Sequence, residues 1–236
     1  MGEALVFIPG LMCDARIFMA QLADLSRDHT VIVAPITKGE RIEEIASNIL
    51  DTLPRKFALC GLSMGGIVAM EILRRAPDRI TRLALFDTNP LAETPQSASA
   101  YEPLIVGARA GRLEQVLLKI LGPEHLAPTP HRMAIQTLLQ EMAAGLGPEV
   151  FIRQVRALQR RRDQQATLRR CKVPTMVLCG DMDTLTPVKR HSFMAELIPD
   201  AWLHVVPDAG HLPVLEQPEV VNDTIRDWMR QPFVLK

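Results

Sequence analysis

Phe57-Ala58-Leu59-Cys60-Gly61-Leu62-Ser63-Met64-Gly65-Gly66-Ile67-Val68-Ala69-Met70 joins an apolar, strand-sized run to an apolar helical stretch through the pattern G-x-S-x-G. Phe57 to Cys60 is read as a strand, and Ile67 to about Arg75 as a helix. A serine on so abrupt a strand-to-helix turn needs small neighbours, because bulky side chains at Gly61 and Gly65 would collide with the turn. The turn lifts the Ser63 hydroxyl above the sheet. It also aims the Met64 N–H and a helix N-terminus at the same point.

Working outward, short apolar runs alternate with helical stretches, the pattern of a mostly parallel sheet. Ala4 to Ile8 is the first run, closed by Pro9-Gly10, and Thr30 to Ile36 is the second. A helix from about Arg41 to Leu53 carries Ile42, Ile45, Ala46, Ile49 and Leu53 on one face. Ile80 to Phe86 is the fourth run. Alternation resumes with a strand at Pro174 to Cys179, a helix at Val188 to Leu197, a strand at Trp202 to Val206 and a last helix from about Pro218 to Trp228. In between, from Pro90 to Arg170, no strand is read. Helices are expected near 98–109, 112–121, 131–144 and 149–165, punctuated by Gly107, Gly111, Gly122-Pro123 and Gly147-Pro148. The chain therefore reads as an α/β core over residues 1–89 and 171–236, with a helical cap over 90–170.

A serine hydroxyl is a weak nucleophile without a base. Of the six histidines, His204 falls in a strand and His191 in a helix, His29 precedes the second strand, and His125 and His131 belong to the insertion. His211 alone follows the last strand, with Gly210 before it to free the loop. A base of this kind needs a carboxylate to fix its tautomer and stabilise the imidazolium. After the strand ending at Cys179 come Asp181 and Asp183, and position alone allows either. A developing oxyanion needs a second backbone donor from the turn after the first strand, where Leu11 N–H follows Gly10.

Composition narrows the alternatives. With 236 residues, a charged fraction of 23% and a hydrophobic fraction of 47%, the chain is neither disordered nor a disulfide-stapled miniature. Lys plus Arg equals Asp plus Glu, 27 each, which argues against nucleic acid as a partner. No apolar run is long enough to span a bilayer. The N-terminal run is too short for a signal peptide, and Val6 stands where a myristoylation signal wants Ser or Thr. Cys13, Cys60, Cys171 and Cys179 form no CxxC pair, so a reducing cytoplasm is the expected location. Cys13, beside the oxyanion turn, is read as a packing thiol, with a redox switch or second nucleophile as its alternative. The charge is unevenly spread. Pro90 to Lys172 holds twelve Lys/Arg against seven Asp/Glu, much of it in Arg153, Arg156, Arg160, Arg161 and Arg162. A solvated helix face is the plain reading, and a docking surface for an acidic partner the sharper one.

Strand, oxyanion turn, serine elbow, insertion, Asp loop and His loop follow in order. In this the chain resembles the α/β-hydrolase superfamily, specifically compact members with a helical cap after the sixth strand. The stretch Ala209-Gly210-His211-Leu212-Pro213-Val214-Leu215-Glu216-Gln217-Pro218 is similar to the His loop of such proteins. The resemblance selects Asp183 over Asp181, and implies a triad of Ser63, Asp183 and His211 with Leu11 and Met64 as oxyanion donors. Two departures stand out. Pro9-Gly10 replaces the usual His-Gly, and the chain starts at what would be the third family strand. The resemblance thus implies a six-stranded, all-parallel sheet in the order 4-3-5-6-7-8 of the family. It further implies hydrolysis of carboxylic esters, lactones or thioesters through an acyl-enzyme, with no metal or organic cofactor. The rivals are a carbon–carbon or enol-lactone hydrolase with the same triad, an acyl-carrier-protein methyl ester esterase docking through Arg153, Arg156, Arg160 and Arg161, and a non-catalytic receptor. The insertion is rich in Leu, Ile, Val, Met and Ala, which suits an apolar or amphipathic acyl group.

Overall fold

A computed structural model describes residues 3–232. Six strands form one parallel sheet: β1 (Ala4–Ile8), β2 (Val31–Val33), β3 (Phe57–Leu62), β4 (Ile80–Phe86), β5 (Thr175–Gly180) and β6 (Ala201–Val206). Their order is β2-β1-β3-β4-β5-β6, with every pairing parallel, as the family resemblance implied. β3 and β5 are buried along their whole length, which is why they read as unbroken apolar runs rather than alternating ones.

The helices follow the chain as α1 (Met19–Leu25), α2 (Ile42–Leu50), α3 (Met64–Arg75), α4 (Pro95–Ser99), α5 (Glu102–Arg109), α6 (Leu113–Ile120), α7 (Arg132–Gln159), α8 (Gln165–Arg169), α9 (Val188–Leu197), α10 (Pro213–Glu216) and α11 (Pro218–Arg230). Successive strand residues point to opposite faces and so build two cores. On one face Val6, Leu59, Leu83, Leu85 and Val177 pack with Ile42, Ile45, Ala46 and Ile49 of α2 and with α3. On the other, Leu5, Phe7, Ala58, Phe86 and Met176 pack with Ile225 and Trp228 of α11. A third cluster joins Ile105, Ala108, Val116, Ala143, Phe151 and Val155, all from the helices between β4 and β5, to Met12 of the turn after β1.

Some boundaries differ from the sequence reading. β2 keeps three residues rather than seven, because only Val31, Ile32 and Val33 find register with β1. The expected helices at 131–144 and 149–165 meet across Gly147 as the two arms of α7. The residue before a proline is pushed out of helical conformation, and Gly147 before Pro148 adopts φ 79, ψ 169. The second arm stops at Gln159, and α8 starts separately. α1 and the single turn α10 were not read from the sequence. Among the described residues no helix is long and apolar enough to cross a membrane.

Candidate active site

The C-terminal ends of β1, β3, β4, β5 and β6 converge on Ser63. This residue has φ 52 and ψ −117, an uncommon left-handed backbone for a residue with a side chain. The turn is held in place from outside: Ser63 N–H donates to Phe86 O at 2.8 Å, and Thr88 Oγ1 donates to Ser63 O at 2.7 Å. Both elbow glycines are required by contact. A Cβ on Gly61 would lie 2.4 Å from Gly65 O, and one on Gly65 only 2.1 Å from Ile8 O.

His211 Nε2 lies 3.0 Å from Ser63 Oγ, and His211 Nδ1 lies 2.9 Å from Asp183 Oδ2. Three residues from three separate strand ends are thus joined in one hydrogen-bonded series. Asp183 receives three further bonds, from Leu185 N–H, Thr186 N–H and Thr186 Oγ1. Burial alone would raise its carboxyl, but these bonds and the one with His211 hold it well below the usual carboxylate range. Asp181, the other candidate by position, is exposed and accepts from Ala209 N–H instead. Met64 opens α3, so its N–H has no intrahelical acceptor. Leu11 and Met64 line the same cavity as Ser63 and His211.

Residues 5–224 match the alpha/beta hydrolase family. The chain belongs to that family. It is 30% identical over 210 residues to a pimeloyl (acyl-carrier protein) methyl ester esterase of Aromatoleum aromaticum, covering 82% of each chain. Its fold is similar to that of a thermophilic esterase from Thermogutta terrifontis, with TM-score 0.88 and 28% identity, covering 98% of this chain and 90% of that one. An enol-lactonase from Burkholderia xenovorans shares the fold at TM-score 0.82 and 24% identity, over 98% and 93% of the two chains. This hydrolase is an esterase-like member of the family.

The cavity over Ser63 measures about 280 Å³. Leu117 and Ile120 of α6, Leu121 just past it, and Leu139 and Leu158 of α7 give the hydrolase an apolar wall. Arg161 also faces this cavity. The surface reading of Arg161 is therefore corrected: its side chain is only 10% exposed and pairs with Glu93 at 2.8 Å, while its Nε donates to Leu91 O. Tyr101 O–H donates to the same Glu93 carboxylate. Burying the Arg161 charge is tolerable because its partner is buried with it. Arg153 donates to Thr37 O at 3.3 Å and Arg162 pairs with Glu43 at 2.8 Å, while Arg160 is exposed, 3.9 Å from Glu40.

Sequence reading missed four supports of the site. The Glu216 carboxylate accepts from Ala127, Gly210 and Leu212 N–H, fixing the loop that carries His211. Its signal lay in the loop itself, where an acid five residues past the histidine starts no amphipathic pattern. Gln154 Oε1 accepts from Met12 N–H and its Nε2 donates to Ile36 O, tying α7 to the turn after β1. His191 Nε2 accepts from Thr88 N–H at 3.0 Å, and burial pulls this imidazole down to about 4. Asp87, the first residue past β4, is fully buried beside the Asp183–His211 pair. Cys13 also lines the cavity, and burial, helped by the Asp14 charge, pushes its thiol up to about 12. Its Sγ–H donates to Leu11 O, the bonding of a packing thiol.

Proposed function

We propose that this protein hydrolyses carboxylic esters with Ser63 as nucleophile, His211 as general base and Asp183 as the acid that orients it. The observation that carries this reading is the unbroken series from Ser63 Oγ through His211 to Asp183. Ser63 Oγ attacks the acyl carbon while His211 Nε2 takes its proton. The Leu11 and Met64 N–H groups receive the oxyanion. His211 then protonates the leaving alkoxide, and water activated by the same imidazole releases the acid from Ser63. The well-ionised Asp183 favours the imidazolium that each step creates. Residues 90–170 act as a cap over the acyl group, and 1–89 with 171–236 as the catalytic core. Four free, buried cysteines suit a reducing compartment such as the cytoplasm.

The test is turnover of p-nitrophenyl esters from acetate to decanoate. Wild type should give a burst and an optimum at intermediate chain length, and Ser63→Ala neither. Folded wild type that turns over none of them would refute hydrolysis of simple esters and shift the reading to a carrier-bound ester, a carbon–carbon substrate or a receptor.

A carrier-bound ester is a second reading, favoured by the similarity to a methyl ester esterase that acts on an acyl-carrier protein and by the basic excess between β4 and β5. Carrier proteins are acidic, and Arg153, Arg156 and Arg160 are the docking groups proposed for one. Arg161, turned into the cavity, is left out. Replacing the three by Glu should lower kcat/KM for a carrier-bound methyl ester about tenfold or more and spare a small p-nitrophenyl ester. Equal effects on both substrates would remove the docking role.

A further inference from the structure

Asp87 is a buried acid that the proposed mechanism does not use. It follows β4 directly, and its N–H still bonds Leu178 O of the neighbouring β5. β4 and β5 are adjacent and parallel, so their ends bring Asp87 and Asp183 to one place. One carboxylate oxygen of each, and one ring nitrogen of His211, all lie within 4.8 Å of one another. Asp87 has φ 43, a left-handed backbone that Asp tolerates better than most residues. Its Oδ1 accepts one bond, from Gly180 N–H at 3.0 Å. Its Oδ2 is buried with no donor. Asp183, by contrast, accepts four.

An oxygen with no donor would be costly on a buried carboxylate, but it leaves room for the proton of a neutral carboxyl, whose O–H then faces the ionised Asp183. Two carboxylates so close cannot both hold a charge cheaply. The groups around Asp87 push the same way. Asp183 faces it from the loop after β5, and Glu216 of α10 adds a further negative charge. His191 of α9 reaches its neighbour Thr88 but is neutral, and the buried Cys179 thiol of β5 is neutral too. His211 is committed to Asp183.

We propose that Asp87 is a reserve acid: a neutral carboxyl while Asp183 is ionised, and the group that accepts the His211 Nδ1–H bond when Asp183 is gone. In that takeover Asp87 releases its proton to solvent and becomes the carboxylate, so charge and protons balance. The proposal rests on the reading of Ser63 as nucleophile.

The experiment compares wild type, Asp183→Asn and Asp87→Asn/Asp183→Asn by kcat/KM on a p-nitrophenyl ester and by the rate of fluorophosphonate labelling of Ser63. Labelling depends on the activated serine and not on the natural substrate. Loss of the orienting acid in such a triad costs about 10⁴-fold. With Asp87 in reserve, Asp183→Asn should lose only about 10²-fold, and the double variant the remaining 10²-fold. Beyond the rise that the His211 base gives every variant, the Asp183→Asn rate should climb a second time with pH as Asp87 gives up its proton, a step the double variant lacks. A merely structural Asp87 would leave both variants with the same profile, the one set by His211 alone. Equal rates for folded Asp183→Asn and the double variant overturn the proposal. If Asp183→Asn does not fold, Asp183→Ala, which leaves room beside His211, runs the same comparison. Wild type that fails to label overturns the nucleophile reading itself, a different result from labelled wild type with equal variants.

Discussion

The sheet frame holds Ser63, Asp183 and His211 on three strand ends, whereas the helices between β4 and β5 supply the apolar wall that faces them. The two regions are stabilised differently. In the frame, backbones approach so closely that a side chain has no room, as at Gly65 against Ile8 O. In the insertion, side chains set positions, through the cluster around Phe151 and Val155 and the Gln154 bridge to Met12 and Ile36. A substitution should therefore be severe and local in the frame and mild in the insertion. The largest expected effect is Ser63→Ala, which should lower kcat/KM by about 10⁴-fold or more while leaving the melting temperature nearly unchanged. An activity loss matched by loss of fold would show that the elbow serves stability instead.

Gly65→Ala comes next and acts on folding. Its new Cβ meets backbone, Ile8 O and Pro9 O, which cannot rotate away as a side chain would. A loss of about 3 kcal/mol is expected in chemical denaturation, at the upper end for overpacking. A loss below about 1 kcal/mol would mean that β1 and α3 slide apart easily, and that the frame is no stiffer than the insertion.

The same contrast governs what the sequence disclosed. β1, β4 and α9 were read at their observed bounds, because apolar runs closed by Pro-Gly or flanked by polar residues carry their limits locally. Ser63 and His211 could be singled out because each sits in the first few residues past a strand, where order along the chain becomes proximity in space. Position left Asp181 and Asp183 both open, and the family resemblance selected Asp183. Asp87 was open to the same logic, since adjacency of β4 and β5 predicts that the residue just past one lies beside the loop of the other. The inward turn of Arg161 was not legible. Hydrophobic period tells which face of a helix is buried, but Arg161 lies past the end of α7, where no period applies and Glu93 across the chain decides. Glu216 and Gln154 were hidden for a related reason: their partners are backbone groups, which sequence does not distinguish.

His191 offers a test on the frame that pH reads directly. Its imidazole is wholly buried and must stay neutral to accept from Thr88 N–H. Its ordinary value of 6.5 falls to about 4 in the fold, because burial penalises the charged form. The unfolded chain therefore binds the proton first as pH drops. The stability tied to neutral His191 is whole above about pH 6.5 and is lost steadily down to about 4. Between pH 7 and 5 the loss should be about 2 kcal/mol. His191→Gln keeps an acceptor for Thr88 N–H without the titration, so its denaturation midpoint should change less over that range. Parallel pH dependence of the two proteins would place the proton elsewhere.

The smallest expected effect belongs to the insertion. Gly147 holds φ 79 and ψ 169 between the two arms of α7, a region open almost only to glycine. Nothing lies within 4 Å of where its Cβ would be, so Gly147→Ala meets backbone strain and no clash. About 1 kcal/mol is expected, a shift of roughly 2–4 °C in melting temperature for a chain of this size. The frame should not feel it. Fluorophosphonate labelling of Ser63 in Gly147→Ala should match wild type, since the strain stays in a helix joint outside the elbow. A shift well beyond 4 °C would mean that the kink sets how both arms of α7 pack, with Gln154 pulling on the turn after β1. In that case the insertion would position the site as firmly as the sheet does, and the contrast between the two regions would fail at this joint.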